Sequence, residues 1–457
     1  MRRSTGLLGL LMLLSVVATP DTAFAAPWSA PVNVSSPALF IENPSIDFGH
    51  SSRVGLATWG WIKGTGPGAQ SGLRIASQTA LGSFSPEQAV PQPLAVPVVY
   101  SNGHVFWLGE ERIVRRRREL SRIKVAFGQA DGRIGRPRTL DTVQTFRTPA
   151  VDVNASGQIA LAYIQTTRSG RRTAKLLVSR GRRLGRPRLV SRRGGVNAVT
   201  VAVGSSGDIV VAWERGGRIE ARIRRPGHRL GRVIRVGKGA KLGTRLRAAV
   251  SSSGRAWVAW ASQRLFEGGG NGPFELQTAV SSAKRSIFRR PLRLDRYDRR
   301  TSDEASFDLS LDLVDQGLLA WSSFDGQNFR ARLASMNRRG TQARFTTLSK
   351  PGYDAAVGDL ATTLPAGHAL VVWSRLDSVG ELGDVVFAGD VVGSAYAGEE
   401  QVSVGDRARK PAVAFNPQTD RATVVWSQRE GPDGPGVPLD QIHTFVRAST
   451  RSATFPP

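Results

Sequence analysis

Arginine is the residue type that most clearly suits this 457-residue chain to ligand binding. Its planar guanidinium pairs through two N–H groups with phosphate, sulfate or carboxylate oxygens, so clustered arginines favour anionic ligands. We predict a ligand-binding surface made of ten basic residues in loops, and we assign none of them a catalytic role. They are Arg115, Arg116, Arg117, Arg118, Arg171, Arg172, Arg192, Arg193, Lys241 and Arg245.

The positive charge is concentrated in one part of the chain. Residues 111–250 contain 34 Lys and Arg against 8 Asp and Glu, whereas the rest of the chain contains 29 and 28. A GC-rich coding sequence would favour arginine over lysine, but it would do so along the whole chain. Compositional bias and an electrostatic role both stay open, and the second predicts a basic sector that holds a polyanion.

Carboxylates offer the rival chemistry, because two acids can hydrolyse a glycosidic bond without cysteine or histidine. Six acids in residues 295–312 are the candidates: Asp295, Asp298, Asp303, Glu304, Asp308 and Asp312. Arginines are interleaved with them, a pattern that is also typical of a solvated network of ion pairs. Both interpretations stay open at this stage.

Metal and cofactor chemistry have little support in the sequence. The chain has no cysteine, which excludes disulfides, thiolate nucleophiles and cysteine-ligated zinc. Its five histidines show neither HxH nor HExxH spacing. We therefore predict no metal and no cofactor.

The first 25 residues have the form of a signal peptide. Arg2 and Arg3 precede an apolar stretch of 13 residues, and Ala23 and Ala25 supply the small residues of a cleavage site. The stretch is too short to span a bilayer, and no later segment is a candidate. We predict cleavage after Ala25 and an exported protein, extracellular or associated with the cell envelope, where the available polyanions include acidic polysaccharides and cell-wall polymers.

One pattern recurs eight times along the rest of the chain. Residues 201–213 read VAVGSSGDIVVAW and residues 248–260 read AAVSSSGRAWVAW, an apolar run, a polar turn and a marked strand that ends in an aromatic residue. The equivalent positions are 59, 109, 163, 213, 260, 321, 373 and 426; in the second unit the position is Gly109 and the aromatic has moved to Trp107. Each unit of about 50 residues contains four short strands. The pattern predicts an all-β, eight-bladed propeller of four-stranded antiparallel blades.

The two ends of the chain predict how the propeller closes. The last unit stops before a fourth strand, while residues 28–35, WSAPVNVS, resemble the fourth strands of the other units. We expect this N-terminal segment to complete the last blade, which removes an exposed sheet edge. Residues 26–457 would then form a single propeller domain, and we expect a monomer.

The repeat resembles that of secreted bacterial β-propellers, which are related in architecture to WD-repeat and sialidase-type propellers. The resemblance covers nearly the whole chain after residue 25 and implies architecture alone, because propellers host enzymes and binding proteins alike. Sialidase chemistry is not implied, since the run from Ser45 begins like an Asp box but has Ser52 where tryptophan is required. The resemblance does imply that loops after the marked strands and loops between blades share one face.

The tryptophans at the repeat position predict core packing, and Trp61 is the one tryptophan that we consider for a ligand.

The sequence as a whole predicts an exported, non-catalytic binding or scaffold propeller that engages an anionic cell-surface polymer or protein partner. Further arginines fall near the opposite loops, so we expect a broad adhesive surface rather than a focused pocket. No specific nucleic-acid motif appears. The alternative is a carbohydrate-active enzyme, a glycoside hydrolase or lyase, that uses loop carboxylates.

Overall fold

Short β-strands separated by polar turns make up almost all of the structure, a computed structural model in which residues 28–452 are described apart from a set of gaps. The gaps are residues 39, 50–51, 64–68, 116, 181–182, 192–193, 241–243, 266–270, 284, 298–306, 313–314, 363–367, 377–384, 393–394, 406 and 432–442. The predicted signal peptide lies outside the described residues.

The strands of the first half of the chain form four antiparallel sheets. Strand β1 (Val32–Asn33) is followed by blade 1, which contains β2 (Phe40–Asp47), β3 (Gly55–Lys63), β4 (Gln70–Gln78) and β5 (Gln88–Ala89). Blade 2 contains β6 (Leu94–Tyr100), a 3-10 turn (Ser101–Gly103), β7 (His104–Arg115), β8 (Arg118–Gln129) and β9 (Arg138–Val143). Blade 3 contains β10 (Thr145–Val153), β11 (Ile159–Thr166) and β12 (Arg172–Arg180), and both β13 (Arg183–Leu184) and β14 (Arg188–Leu189) pair with β12. Blade 4 contains β15 (Val196–Val203), β16 (Ile209–Arg215), β17 (Arg218–Arg224) and β18 (Ile234–Lys238).

The second half repeats the arrangement. Blade 5 contains β19 (Thr244–Val250), β20 (Ala256–Leu265), β21 (Asn271–Val280) and β22 (Leu292–Tyr297). Blade 6 contains β23 (Phe307–Leu311), β24 (Gly317–Phe324), β25 (Phe329–Met336) and β26 (Ala343–Thr347). Blade 7 contains β27 (Asp354–Thr362), β28 (His368–Leu376), β29 (Val385–Val392) and β30 (Ala395–Gln401). Blade 8 contains β31 (Ala408–Asn416), β32 (Arg421–Glu430), β33 (His443–Ser452) and β1.

The predicted all-β, eight-bladed propeller is therefore confirmed, as is its closure by the N-terminal strand. In blade 8, Val32 pairs with Ala448 and Asn33 pairs with Arg447. The Val446 N–H donates to the Ser35 hydroxyl at 2.8 Å, so the backbone of β33 is satisfied beyond the end of β1. Sequence from the two ends of the chain thus shares one sheet.

The hydrophobic core lies between neighbouring blades rather than within one sheet. In β16 the first six side chains are all buried, because one face of the strand packs on blade 3 and the other on blade 5. A strand buried on both faces reads as a continuous apolar run, which is why the marked strands do not alternate.

The repeated aromatics are buried in these interfaces, which confirms core packing. They are Trp59, Tyr163, Trp213, Trp260, Trp321, Trp373 and Trp426. Several of their polar atoms have partners: the Trp213 N–H donates to Glu220 at 2.9 Å and the Trp321 N–H donates to Asp295 at 2.6 Å. Such a bond offsets the cost of removing the indole N–H from water.

Carboxylates join several of the innermost strands. A carboxylate oxygen accepts the backbone N–H of the next blade's innermost strand in three cases, Asp47 to Val99 at 2.9 Å, Asp152 to Val203 at 2.7 Å and Asp359 to Val413 at 3.0 Å. The innermost strand is the edge of its sheet, so its free N–H groups need such acceptors.

Blade 2 departs from the repeat for a steric reason. A Cβ atom on Gly109 would lie 1.9 Å from the carbonyl oxygen of Pro93, so no larger residue fits at the position that an aromatic holds elsewhere. Trp107, two residues earlier, is fully buried and contributes to the core instead. The weaker second copy is thus a true blade.

Candidate binding cleft between blades 2 and 3

Three loops meet around a cleft of about 1040 Å³ between blades 2 and 3. They are the β7–β8 hairpin tip, the β9–β10 connection between the blades and the β11–β12 hairpin. The lining residues are Arg115, Arg118, Glu119, Leu120, Thr142, Val143, Gln144, Gln165, Thr166, Thr167 and Arg168. Loops after marked strands and a loop between blades therefore lie together at this cleft.

The β7–β8 hairpin forms one wall. Its two strands have 12 residues each, whereas the second strands of the other blades have 7 to 10. Arg115 pairs directly with Arg118, so the turn between them contains two residues, and Arg117 in that turn has a φ of 60°. A tight turn of this kind places Arg115 and Arg118 opposite each other at the tip of the hairpin.

Three arginines line the cleft from two sides. Arg115 and Arg118 belong to the blade 2 hairpin, and Arg168 belongs to the blade 3 hairpin; all three are exposed. Among the described residues, none of the three forms an ion pair with a carboxylate, in contrast to Arg215, which lies 2.5 Å from Glu220. Their N–H groups are therefore available to an anionic ligand.

Uncharged polar groups make up much of the remaining lining. Five residues carry a hydroxyl or a primary amide, Thr142, Gln144, Gln165, Thr166 and Thr167. Among the described residues that line the cleft there is one carboxylate, Glu119, and no aromatic ring. The cleft therefore offers cations together with groups that both donate and accept hydrogen bonds.

A partly buried polar network lies next to the lining residue Thr142. The Tyr163 hydroxyl donates to an Asp141 oxygen at 2.6 Å, and the Lys175 ammonium donates to the same oxygen at 2.7 Å. Burial by itself raises the pKa of Asp141, but the bonds from Lys175 and Tyr163 outweigh it and hold the pKa below its usual range. Burial and Asp141 raise the pKa of Tyr163, so this phenol keeps its proton and ties blade 3 to the outer strand of blade 2.

The other predicted basic residues that the structure describes do not line the cleft. Arg171 packs against Gly194, where an added Cβ would lie 2.2 Å from the arginine side chain. Arg172 lies near Glu214, a carboxyl whose pKa is raised by burial and lowered in part by that arginine. Arg245 is exposed on the innermost strand of blade 5. Arg116, Arg192, Arg193 and Lys241 lie outside the described residues.

Sequence reasoning missed Arg168 and the Gln and Thr lining. Arg168 is a single arginine in the turn TTRSG, so it has no run to attract attention. The run of arginines at residues 115–118 was the sequence feature that pointed to this site. The lining residues from blade 3 are recognised only from the packing of blades 2 and 3 against each other. A search of the hairpin at the same position in the next repeat would have found Arg168.

Several arginines on the opposite loops are used by the fold itself. Arg225 donates to Asp208 at 3.0 Å and to the Ser282 carbonyl at 3.2 Å, and Arg224 donates to the His228 carbonyl at 3.1 Å. The Arg224 bond spans one turn and the Arg225 bonds join separate loops, so these arginines present fewer free N–H groups than those of the cleft.

Some of the predicted acidic residues are likewise used by the fold itself. Asp295 accepts the Trp321 N–H, and Asp312 accepts the Gln316 N–H at 2.7 Å to close a turn. Asp298, Asp303 and Glu304 lie outside the described residues. Asp308 has a different setting, because it pairs with Arg247 at 3.2 Å and also meets Asp359 of blade 7.

Asp308 and Asp359 share a hydrogen bond between two carboxyl groups. Burial, followed by the negative charge of Asp308, raises the pKa of Asp359 to about 8 from its usual value of 3.8. Two adjacent carboxylates cannot both ionise at low cost, so Asp359 keeps its proton near neutral pH.

This proton predicts a pH-dependent stability. Because the raised pKa belongs to the folded state, the folded chain holds a proton that the unfolded chain releases above about pH 4. The stabilisation is full below pH 4 and is lost as the pH rises to about 8. Between pH 5 and pH 9, the free energy of unfolding of the wild type should fall by about 2–4 kcal/mol more than that of the Asp359→Asn variant. Denaturant unfolding at the two pH values measures both declines.

Asp308→Asn serves as the second variant in this experiment. It removes the negative charge that faces Asp359, so it should also flatten the decline with pH. A parallel decline of the wild type and both variants would contradict a proton held by Asp359 beside Asp308.

Trp61 is half-buried and already contacts Arg74 and the core. The guanidinium of Arg74 lies over the ring, 4.6 Å from its centroid, and the indole packs against the core between blades 8 and 1.

No group of three or more His, Asp or Glu side chains suited to a metal occurs in the described part of the chain. Helices long and apolar enough to cross a membrane are likewise absent from the residues that the structure describes.

The blades, the closure and the cleft together define an eight-bladed β-propeller with an arginine-lined cleft between two blades. No protein-family model matches the chain, and no curated protein matches it. Solved structures resemble it in fold. An ulvan lyase described as a polysaccharide lyase is 10% identical, with 92% of this chain and 95% of that chain covered and a TM-score of 0.49.

Two further solved structures also resemble the chain in fold. A Hadza microbial sialidase is 12% identical over 91% of this chain and 94% of that chain, with a TM-score of 0.34. The β-propeller domain of the Trilobed protease from Pyrococcus furiosus is 8% identical over 80% of this chain and 97% of that chain, with a TM-score of 0.43. At these identities the likeness concerns the fold alone.

Proposed function

We propose that this chain is an exported, non-catalytic binding propeller that holds an anionic polymer in the cleft between blades 2 and 3. The observation that carries the proposal is the placement of Arg115, Arg118 and Arg168 on facing walls without carboxylate partners among the described residues. Export rests on the signal-peptide form of the first 25 residues.

Electrostatics favours a polymer over a small anion. Residues 111–250 carry almost the whole net charge of the chain, and the cleft lies within that sector. A concentrated field of one sign raises the local concentration of oppositely charged ligands and speeds their association. A polymer gains from many weak contacts at once, and its binding weakens with salt because exposed charges are screened.

Neutralising the cleft arginines is expected to abolish most of the binding. The triple variant Arg115→Ala, Arg118→Ala and Arg168→Ala should lower the affinity for an anionic polysaccharide about 100-fold, because charge-assisted hydrogen bonds contribute more than neutral ones. Titration calorimetry at two salt concentrations measures both the affinity and its salt dependence, and the variant should also show the smaller salt dependence.

A matched control removes the same charge elsewhere. Arg338, Arg339 and Arg344 are exposed on blade 6, away from the cleft, and their replacement by alanine should change the affinity less than threefold. Equal losses in the two triple variants would mean that net charge binds the polymer and that the cleft does not.

The alternative, a carbohydrate-active enzyme, is favoured by one observation, the Asp308–Asp359 pair. Asp359 keeps a proton near neutral pH, as a general acid must. The two carboxyl groups are in hydrogen-bond contact, however, whereas glycosidase acids stand about 5 Å or more apart to leave room for the substrate. Depolymerisation of a polysaccharide that Asp359→Asn abolishes would establish the alternative and overturn the non-catalytic role.

A further inference from the structure

The uncharged lining of the cleft carries information about the ligand that the arginines alone do not. Gln144, Gln165 and the three threonines carry hydroxyl and amide groups, which both donate and accept hydrogen bonds. The Gln165 amide donates one N–H to the Thr173 hydroxyl at 3.3 Å, which leaves its second N–H and its carbonyl oxygen for a ligand. A ligand made of anionic oxygens alone accepts hydrogen bonds but cannot donate them, so the acceptor oxygens of these side chains would have no partner in the ligand. A sugar hydroxyl both donates and accepts, so it can bond to the donors and to the acceptors.

The absence of aromatic side chains points the same way. Single-stranded nucleic acids are held by stacking their bases on aromatic rings. Among the described residues that line the cleft no ring is present, and the apolar lining consists of Leu120 and Val143. These two aliphatic side chains can make van der Waals contact with the C–H groups of a sugar ring.

The charges of the lining favour a ligand with moderate charge density. Glu119 lines the same cleft as the three arginines and would repel a closely spaced run of anions. A carboxylate can instead accept hydrogen bonds from hydroxyl groups. The lining therefore suits a chain in which anionic groups are separated by hydroxyl-bearing units.

The size of the cleft suits several such units. A volume of about 1040 Å³ is at the upper end of the range that small-molecule sites occupy. The arginines stand on both walls, on the β7–β8 hairpin and on the β11–β12 hairpin, so anionic groups that project from either side of a chain meet a guanidinium.

From this lining we infer that the ligand is an acidic polysaccharide, a chain of sugar rings that carries carboxylate or sulfate groups, held by arginines at its anionic groups and by Gln144 and Gln165 at its hydroxyls. The inference rests on the proposed function, because it names the chemical class of the polymer in the same cleft.

The test compares polymers that separate charge from hydroxyl groups. Polygalacturonate carries both, inorganic polyphosphate carries charge alone and dextran carries hydroxyls alone. We expect titration calorimetry to give the highest affinity for polygalacturonate at matched anion concentration. The double variant Gln144→Ala and Gln165→Ala should weaken polygalacturonate binding about 10-fold and polyphosphate binding less than twofold. Gln327→Ala with Gln342→Ala, on blade 6, is the matched control and should leave both affinities unchanged.

The outcomes distinguish the two proposals. If polyphosphate binds as tightly as polygalacturonate and the glutamine variant affects neither, the sugar class is wrong, while a loss with the arginine triple variant keeps the anionic cleft. If the arginine triple variant binds every probe as well as the blade 6 control, the proposed function fails and the sugar class with it. Unchanged melting temperatures of the variants exclude unfolding as the cause of a loss.

Discussion

A chain that begins at Ser36 is expected to lose most of its folding stability. The missing segment supplies β1 and the N–H and hydroxyl groups of Ser29, whose backbone N–H donates to the Thr450 carbonyl at 2.9 Å. It also supplies the stacking of Trp28 with the Arg451 guanidinium, 4.8 Å from the ring centroid. About six hydrogen bonds and the burial of Val34 would be lost, on the order of 5 kcal/mol, which approaches the entire stability of an ordinary domain.

The control is a chain that begins at Trp28, which lacks the signal-peptide region but keeps the closing strand. Differential scanning calorimetry of the two chains isolates the contribution of residues 28–35. Melting temperatures within about 3 °C of each other would contradict a stabilising closure.

A single substitution tests the same closure if the shortened chain fails to fold. Ser35→Ala removes the acceptor of the Val446 N–H, which is buried, and should cost about 1–3 kcal/mol. Ser191, Ser349 and Ser403 make the corresponding bond in blades 3, 6 and 7, so the interaction is part of the repeat.

Replacing Gly109 by alanine is expected to be the most destabilising single substitution of this kind in the marked strands. The new Cβ would lie 1.9 Å from the Pro93 carbonyl oxygen, which belongs to the backbone and cannot rotate away. The first strand of blade 2 would have to move, at a cost of about 3 kcal/mol or more. Denaturant unfolding measures the loss directly.

Gly60→Ala is the matched control, because Gly60 follows the repeat aromatic of blade 1. A Cβ there would meet the Glu42 side chain at 3.5 Å, an ordinary contact, so we expect a change within about 1 kcal/mol. Similar losses in the two variants would show that the close approach of Pro93 is not the reason for glycine at residue 109.

Much of the fold could be predicted from the sequence because a propeller is built from local repeats. The spacing of Trp213 and Trp260, the polar turns before them and the apolar runs between recur within each unit of about 50 residues. The closure was also predictable, since Val32 and Asn33 belong to a segment with the pattern of a fourth strand. Each of these signals depends on neighbours in sequence or on the count of strands per unit.

The candidate site could be predicted in part. Arg115 and Arg118 stood out as a run of arginines, and the structure places them at the cleft. Arg171 stood out equally, but its side chain packs against Gly194. The direction of a side chain near a strand end depends on the register of the hairpin and on the neighbouring blade, and neither is visible in a short stretch of sequence.

The sequence by itself determined the kind of molecule: the number of blades, their aromatic cores, the closing strand and the concentration of charge in one sector. Only the tertiary structure decided which polar groups meet. Arg168 joins Arg115 across the cleft, and Asp359 keeps a proton beside Asp308, 51 residues earlier in the chain. The physical reason is that hydrophobic periodicity is set residue by residue along a strand, whereas contacts between blades follow from how two folded sheets pack against each other.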